Sequence, residues 1–429
     1  MQKIMNNLKK IQSRLQRLHP KEIDLSLNRI KTLCNKLQNP EKNLKVISVV
    51  GTNGKNSTIQ AMRSILREAK IQTNIYTSPH IQRINERFVY NNNEINDEEL
   101  SKLLLEIEKI NDGDQITYFE ILTAAFLKKA NENKNNINIL EAGLFHRFDA
   151  TNIFDKNLAS VITAIGLDHT DWLPENERTV DKIIYEKTSS LLNSKIILSN
   201  QENDEILSKI KTSLISNSSK KIYFNDLYSY SLAENNFFYY EDELGGLKLP
   251  IPTNLLGKFQ LANVATAIAT LRNIEEIDIK ESDIKEGIKK IKTLGRLQEI
   301  KSGKLKKLVN NNKLIIDGSH NALGGKVLSE YLESIENKKH LIVGMMSNKN
   351  HQDFLDNFIN KISSLTTVDI PNQPNAINGQ DLKNKISGFK NVKYKKSVKE
   401  ALEALELKDN DIAIITGSLY LAGEVLNLN

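Results

Sequence analysis

KVISVVGTNGKNST, residues 45–58, is the stretch on which the reading of this chain turns. Its apolar, β-branched opening ends at Gly51, and Ile59, Met62, Ile65 and Leu66 then recur at helical spacing, so a buried strand passes directly into a helix. Backbone amides in such a turn, together with the positive end of the helix, attract phosphate, and the glycines let the chain pass close to it. NIYT (74–77) supplies the next strand and completes a βαβ unit. Taken alone, the segment could also be an ordinary glycine-containing turn. The strict G-x-x-x-x-G-K-[ST] spacing is not met, because Val49 holds its first position and Asn56 separates Lys55 from Ser57.

Outward from this unit, INILEAG (137–143), ASVITAI (159–165) and KIILSN (195–200) read as further strands separated by helical pattern, which predicts a doubly wound α/β sheet. Between about 221 and 256 the texture changes to KIYFN and FFYYEDELGGLKL, where alternation and a Gly-Gly pair predict a small antiparallel ribbon. Helices are expected at about 258–272 and 281–292, and the domain boundary near 295. KLIIDG (313–318), LIVGMM (341–346), SSLTTVDI (363–370), NVKYK (391–395) and DIAIITG (411–417) then make a second, smaller α/β unit.

The bulk numbers agree with two domains and narrow the function. A chain of 429 residues exceeds one core of about 150 residues. The formal charge of +6 arises from 59 basic and 53 acidic residues that are interspersed, with no basic block of nucleic-acid type. No apolar run is long enough to span a bilayer and the N-terminus lacks a signal-peptide core, so a cytoplasmic protein with no membrane partner is expected. Cys34, the single cysteine, excludes an intramolecular disulfide and a multi-cysteine metal site.

Several chemistry-bearing residues fall just past strand ends, the edge at which α/β sheets bind ligands. They are Ser78 and His80 in TSPH, Glu141 in EAGLFHRFDATN, and Asp168 and His169 in DHTDW. A carboxylate such as Glu141 is a natural hard ligand for Mg²⁺, whereas imidazole is an uncommon one.

The ordered set GTNGK, TSPH…INER, TYFEILT (117–123), DATN, DHTDW, YEK (185–187), FQLANVATA (259–267), DGSHN (317–321) and GSLYLAGEV (417–425) resembles the dihydrofolate synthase/folylpolyglutamate synthase family of Mur-type ligases over nearly the whole chain. The resemblance implies a P-loop-containing, doubly wound Mur-ligase-like domain over 1–295 and a smaller Rossmann-like α/β domain over 296–429. It implies ATP contacts at Thr52, Asn53, Gly54, Lys55, Asn56, Ser57, Asn263, Arg296 and Asp317, and one or two Mg²⁺ ions on Ser78, Glu141 and His169. Catalytic roles fall on Lys55, His169 and Lys187, the last where the family carries a CO₂-modified lysine. Pterin or folate binding maps to Asp24, Phe119, Glu120, Arg147 and Asp149, and glutamate binding to His320. Potassium or another monovalent cation, small-molecule substrates (dihydropteroate or folate, L-glutamate, ATP) and a monomeric state are likewise implied.

Four positions depart from the family pattern. Asn56 replaces a loop glycine, Phe145-His146 a Gly-Gly pair, Pro174 a glycine and Phe259 a histidine. Asn tolerates the left-handed region, so the first is readily accommodated. Phe145 and His146 are expected either to stack on a pterin ring or to narrow the pocket.

The implied reaction is an ATP-driven ligation through an acyl phosphate, for which charge neutralisation by Lys55, Arg296 and Mg²⁺ matters more than a covalent nucleophile. Two alternatives stay open: a Mur-type ligase acting on another carboxylate, and a nucleotide-binding protein that has lost ligase activity.

Overall fold

The computed structural model describes residues 2–21 and 23–429. The chain divides into two compact units. The first comprises residues up to Ile165 with Thr179–Ile251 and Ala262–Lys289; the second comprises Gly166–Arg178, Pro252–Leu261 and Lys290–Asn429. Two segments that precede position 295 in the chain therefore belong to the second unit, a partition that chain order alone does not reveal.

The first unit is built on an eight-stranded sheet. Its strands are β1 (Lys45–Val50), β2 (Thr73–Tyr76), β3 (Phe88–Tyr90), β4 (Asn93–Glu94), β5 (Ile137–Glu141), β6 (Ala159–Ile162), β7 (Lys195–Leu198) and β8 (Lys220–Tyr223), in the order β4-β3-β2-β5-β1-β6-β7-β8. From β2 through β5, β1, β6 and β7 to β8 neighbours run parallel, while β3 pairs antiparallel with both β2 and β4. The central strands β1, β5 and β6 are buried on both faces, as helices on either side of a parallel sheet require, which is why they read as continuous apolar runs.

One core gathers Leu8, Ile11 and Leu15 of the helix Gln2–Leu15 with residues of the helices Asn28–Lys36, Asp97–Asn111 and Tyr118–Ala130. Its aromatic centre places Phe126 with ring centroids 5.1 Å from Tyr76 and 5.5 Å from Tyr90.

KIYFN does not join the ribbon. Lys220–Tyr223 is β8, parallel to β7 at the sheet edge, and the ribbon proper is β9 (Tyr228–Ala233), β10 (Phe237–Asp242) and β11 (Leu247–Pro250). Ile222 is buried while its neighbours are half-buried or exposed, an edge-strand pattern that resembles a ribbon strand until its partner is known. The ribbon buries Phe238 and Tyr240, and Arg272 clamps it through two bonds to Asp242 at 2.8 and 3.0 Å.

The second unit has a six-stranded sheet of β12 (Gln298–Glu299), β13 (Lys313–Ile316), β14 (Lys339–Val343), β15 (Ser364–Val368), β16 (Lys393–Lys395) and β17 (Ile412–Thr416). The order is β12-β13-β17-β14-β15-β16, parallel except for β12. Among the described residues no helix is long and apolar enough to cross a membrane.

Candidate active site

Sheet order makes the site. β2, β5, β1 and β6 are consecutive neighbours, so the residues that follow each strand meet at one edge: Ser78 after β2, Glu141 at the end of β5, Gly51 after β1 and Thr163 after β6. The register pairs Val49 with Glu141, and Ala142 N–H donates to Val49 O at 2.9 Å, so the carboxylate stands beside the start of the glycine loop.

The loop itself is pinned on both sides. Thr52 and Asn53 N–H groups both donate to Ala164 O, at 2.8 and 3.1 Å. Gly51 has φ +145° and Gly54 φ +90°. A Cβ on Gly54 would lie 2.5 Å from Asn263 Oδ1, so Asn263, on the helix Phe259–Arg272, stands directly against the loop. The helix Lys55–Glu68 opens without a side-chain cap, the kind of terminus that an anion satisfies. Lys55 Nζ donates to the carbonyls of Gly51 (3.0 Å) and Thr52 (3.2 Å), holding its charge over the loop. Ser57 and Thr58 are buried in the first turn, and Asn56 is half-buried as the second helical residue.

Ser78 N–H donates to Glu141 Oε2 at 3.2 Å, which brings two of the expected metal ligands together. Glu141 is buried. Among the described residues no group of three or more His, Cys, Asp or Glu could by itself hold a metal ion. A hydroxyl and a carboxylate beside a phosphate loop nevertheless form a hard-oxygen donor pair suited to Mg²⁺, which keeps water and phosphate oxygens as its other ligands. His80 accepts from Arg87 Nε at 2.9 Å through Nδ1, and burial, aided by the Arg87 charge, pushes it down to about 3. It is therefore a neutral imidazole.

Lys187, on the helix Val180–Thr188, is buried and donates to Gly51 O (3.0 Å) and Leu144 O (2.7 Å). Phe145 and His146 correct the expectation of pocket-facing side chains. They are 1% and 2% exposed, with the Phe145 ring 5.8 Å from Lys187 Nζ and His146 between Ser48 Oγ (3.4 Å) and Ser190 Oγ (3.0 Å). Both pack behind the loop and offer no face to a ligand.

The expected pterin residues form two groups. Asp24 and Glu120 are joined by Arg29, whose Nη1 donates to Asp24 Oδ2 at 2.7 Å and whose Nε donates to Glu120 Oε2 at 3.0 Å. Glu120 also accepts from Thr117 N–H at 2.8 Å in a capping box that opens the helix Tyr118–Ala130, while its Oε1 is buried without a hydrogen-bond partner. Phe119 and Asp149 both abut Gly143, where an added Cβ would meet Phe119 Cζ at 3.1 Å and Asp149 Oδ2 at 3.0 Å. Asp149 accepts from Gly143 N–H (2.9 Å), Thr151 N–H (3.0 Å) and Thr151 Oγ (2.6 Å), and burial nonetheless raises its pKa. Arg147 is held by Glu186 through bonds of 2.9 and 2.7 Å, with its guanidinium 4.3 Å from the Phe148 ring centroid. Sequence reasoning missed Arg29 and Glu186. Arg29 stands in HPKEIDLSLNRI (19–30), where nothing marks it as the residue that joins Asp24 to Glu120.

His169 belongs to the second unit, as do Arg296, Asp317 and His320. Asp317, at the end of β13, accepts from Leu297 N–H and Ser319 N–H, each at 2.9 Å, and so fixes the turn that follows Arg296. Asp168 gathers its surroundings: Lys349 Nζ donates at 2.7 Å and Asn321 Nδ2 at 2.8 Å, with His320 Nε2 3.7 Å away. Burial opposes its charge, yet His169, His320 and Lys349 together hold it well below the usual carboxylate range. Lys349, in SNKN, has no local signal that sets it apart from the many other lysines. Of the two remaining departures, Pro174 precedes a short 3₁₀ turn and Phe259 lies against Gly257, whose φ is +91°.

Fold and edge geometry together define an α/β protein with a phosphate-binding type of loop at the carboxyl edge of its parallel sheet. Residues 49–271 match the Mur ligase middle domain, and residues 302–428 match the C-terminal domain of dihydrofolate synthetase. The chain is 29% identical to the dihydrofolate synthase/folylpolyglutamate synthase of Haemophilus influenzae over 96% of its own length and 95% of that protein. It is also 29% identical to the protein of the same name from Bacillus subtilis, covering 93% of this chain and 94% of that one. Among solved structures, Escherichia coli FolC in complex with DHPP and ADP superposes with a TM-score of 0.84 at 27% identity, covering 98% and 97% of the two chains. The Yersinia pestis bifunctional folylpolyglutamate synthase/dihydrofolate synthase, complexed with AMPPNP and Mn, gives 0.85 at 26% identity over the same shares. The chain belongs to the Mur ligase family and, within it, to the dihydrofolate synthase/folylpolyglutamate synthases.

Proposed function

We propose that the chain adds L-glutamate to dihydropteroate, to reduced folates, or to both, using MgATP and passing through an acyl phosphate. The observation that carries this reading is the shared sheet edge, where the Gly51–Ser57 loop, Lys55, Ser78 and Glu141 stand side by side. The printed names of the relatives and the ligands in the solved neighbours, ADP, AMPPNP, Mn, DHPP and L-glutamate, support it.

In this reading Thr52, Asn53, Gly54, Asn56 and Ser57 receive the phosphates and Lys55 carries the charge to the transferring group, with Asn263, Arg296 and Asp317 as further ATP contacts. Ser78, Glu141 and His169 would hold the divalent ion, which supplies charge neutralisation on the phosphates. The substrate carboxylate oxygen bonds to the γ-phosphorus as the bond to ADP breaks. The glutamate nitrogen then bonds to the acyl carbon, phosphate leaves, and the amine loses a proton. Asp24, Phe119, Glu120, Arg147 and Asp149 are assigned to the pterin or folate, and His320 to the incoming glutamate. A potassium or other monovalent ion, a monomer and a cytoplasmic setting complete the reading. The carbamate implied for Lys187 does not fit its surroundings, and no step uses it.

The test is phosphate release by purified protein with MgATP, potassium, glutamate and either dihydropteroate or tetrahydrofolate. Release that requires both a pterin and glutamate is expected. Measurable ATP binding with no release on any pterin would instead identify a nucleotide-binding protein without ligase activity.

A further inference from the structure

Lys187 stands at the back of the glycine loop, where the family pattern would place a carbamate, and the atoms around its nitrogen suit a cation. Nζ lies 2.7 Å from Leu144 O and 3.0 Å from Gly51 O, two acceptors that each require an N–H. An ammonium has three such donors. A carbamate nitrogen keeps one, so modification would break at least one bond and bring two anionic oxygens against carbonyl oxygens. It would also add three heavy atoms to a side chain whose residue is 2% exposed. The Phe145 ring centroid is 5.8 Å from Nζ, within the range at which an aromatic face attracts a cation and would repel an anion. Phe145 is one of the residues by which this chain departs from the family pattern, and it is fully buried at this spot.

We propose that Lys187 works in this protein as an unmodified ammonium that ties the phosphate loop, through Gly51, to the loop after β5, through Leu144. Gly51 is held at φ +145°, a conformation open in practice to glycine, and its carbonyl accepts from Lys55 as well as from Lys187. Leu144 adjoins Gly143, whose N–H holds Asp149. One side chain thereby sets the positions of the nucleotide loop and of the segment assigned to the acid substrate. Lys187 is a positioning residue. The inference rests on the nucleotide-loop reading, but not on which acid is the substrate.

The protein is exchanged into ¹³C-bicarbonate and its carbon spectrum recorded without substrates, beside Lys187→Arg. No carbamate resonance is expected, and removing bicarbonate leaves turnover unchanged. A carbamate resonance present in the wild type and missing from Lys187→Arg overturns the proposal. In Lys187→Ala, kcat/KM for ATP is expected to fall by about tenfold or more, chiefly through KM, as when a support of a first contact is lost. Propylamine restores part of it and acetate does not. Restoration by acetate, or a wild-type KM for ATP, would also overturn it. Should Lys187→Ala not fold, the wild-type spectrum still decides. A wild type that binds no ATP would instead refute the loop reading, whatever the spectrum shows.

Discussion

Gly51→Ala tests the phosphate loop at its tightest point. An added Cβ would lie 2.0 Å from Thr163 Oγ1, where ordinary contact begins at 3.4 Å, and 3.2 Å from the Thr163 carbonyl carbon. Thr163 has little room to yield, because it is fully buried and both its N–H (2.9 Å) and its hydroxyl (3.1 Å) donate to Val50 O. Three costs combine: about 1–3 kcal/mol for a non-glycine residue at this positive φ, about 1–3 for overpacking, and about 1–3 if the hydroxyl gives up its bond. Relaxation makes them overlap, so about 3–6 kcal/mol is expected, a large share of the about 5–15 kcal/mol that holds a typical fold. Urea unfolding followed by far-UV circular dichroism reads the loss, and titration with a fluorescent ATP analogue below the unfolding transition reads the site. Thr163→Ala removes the clashing oxygen, so the double variant should recover about 1–3 kcal/mol relative to the sum of the singles, leaving the φ strain. A Gly51→Ala protein with wild-type stability and nucleotide affinity, or a cycle with no coupling, would refute this account of the loop.

Glu141→Gln should weaken divalent-ion dependence, raising the Mg²⁺ needed for half-maximal phosphate release by about 10–100-fold while the urea midpoint changes little. Unaltered Mg²⁺ dependence would remove Glu141 from the ligand set. His146, like His80, is pushed down to about 3 by burial, with Lys187 adding to the effect. The unfolded chain therefore takes up more protons between about pH 6.5 and 3, so stability falls as the pH falls through that window. Urea midpoints at pH 7 and 5 should differ less in His146→Asn than in the wild type, and an unchanged difference would contradict a neutral buried imidazole. Asp242→Ala strands the largely buried Arg272 and the Tyr240 hydroxyl, which donates to Asp242 at 2.9 Å. A loss of about 3–5 kcal/mol in thermal or urea unfolding is expected, partly recovered when Arg272→Met is added.

Much of the site was legible because its residues sit at strand ends, and strand ends follow from local pattern. KVISVV, INILE and ASVI are buried on both faces of a parallel sheet, so each reads as an apolar run whose last residue marks the ligand edge. Gly51 and Gly54 mark the tight path of the loop in the sequence, and both take positive φ. KIYFN was misread because an edge strand and a ribbon strand share the same half-buried alternation, and only the pairing partner tells them apart.

Phe145 and His146 show the limit most clearly. From the sequence, two bulky residues in place of small ones could only be set near the substrate, since the direction of a loop side chain depends on what packs behind it. Burial against Lys187, Ser48 and Ser190 turned them inward. Arg29 with Glu120, and Lys349 with Asp168, were unreadable for a related reason. Coulombic partners separated by 91 or 181 positions meet through the fold, and the sequence marks neither member. What the sequence alone determined was local: which segments are strands, where a backbone must adopt glycine's conformations, and which chemical groups stand at the carboxyl edge. Only the tertiary structure decided which of those groups touch, because sheet order and side-chain burial follow from packing between segments far apart in the chain.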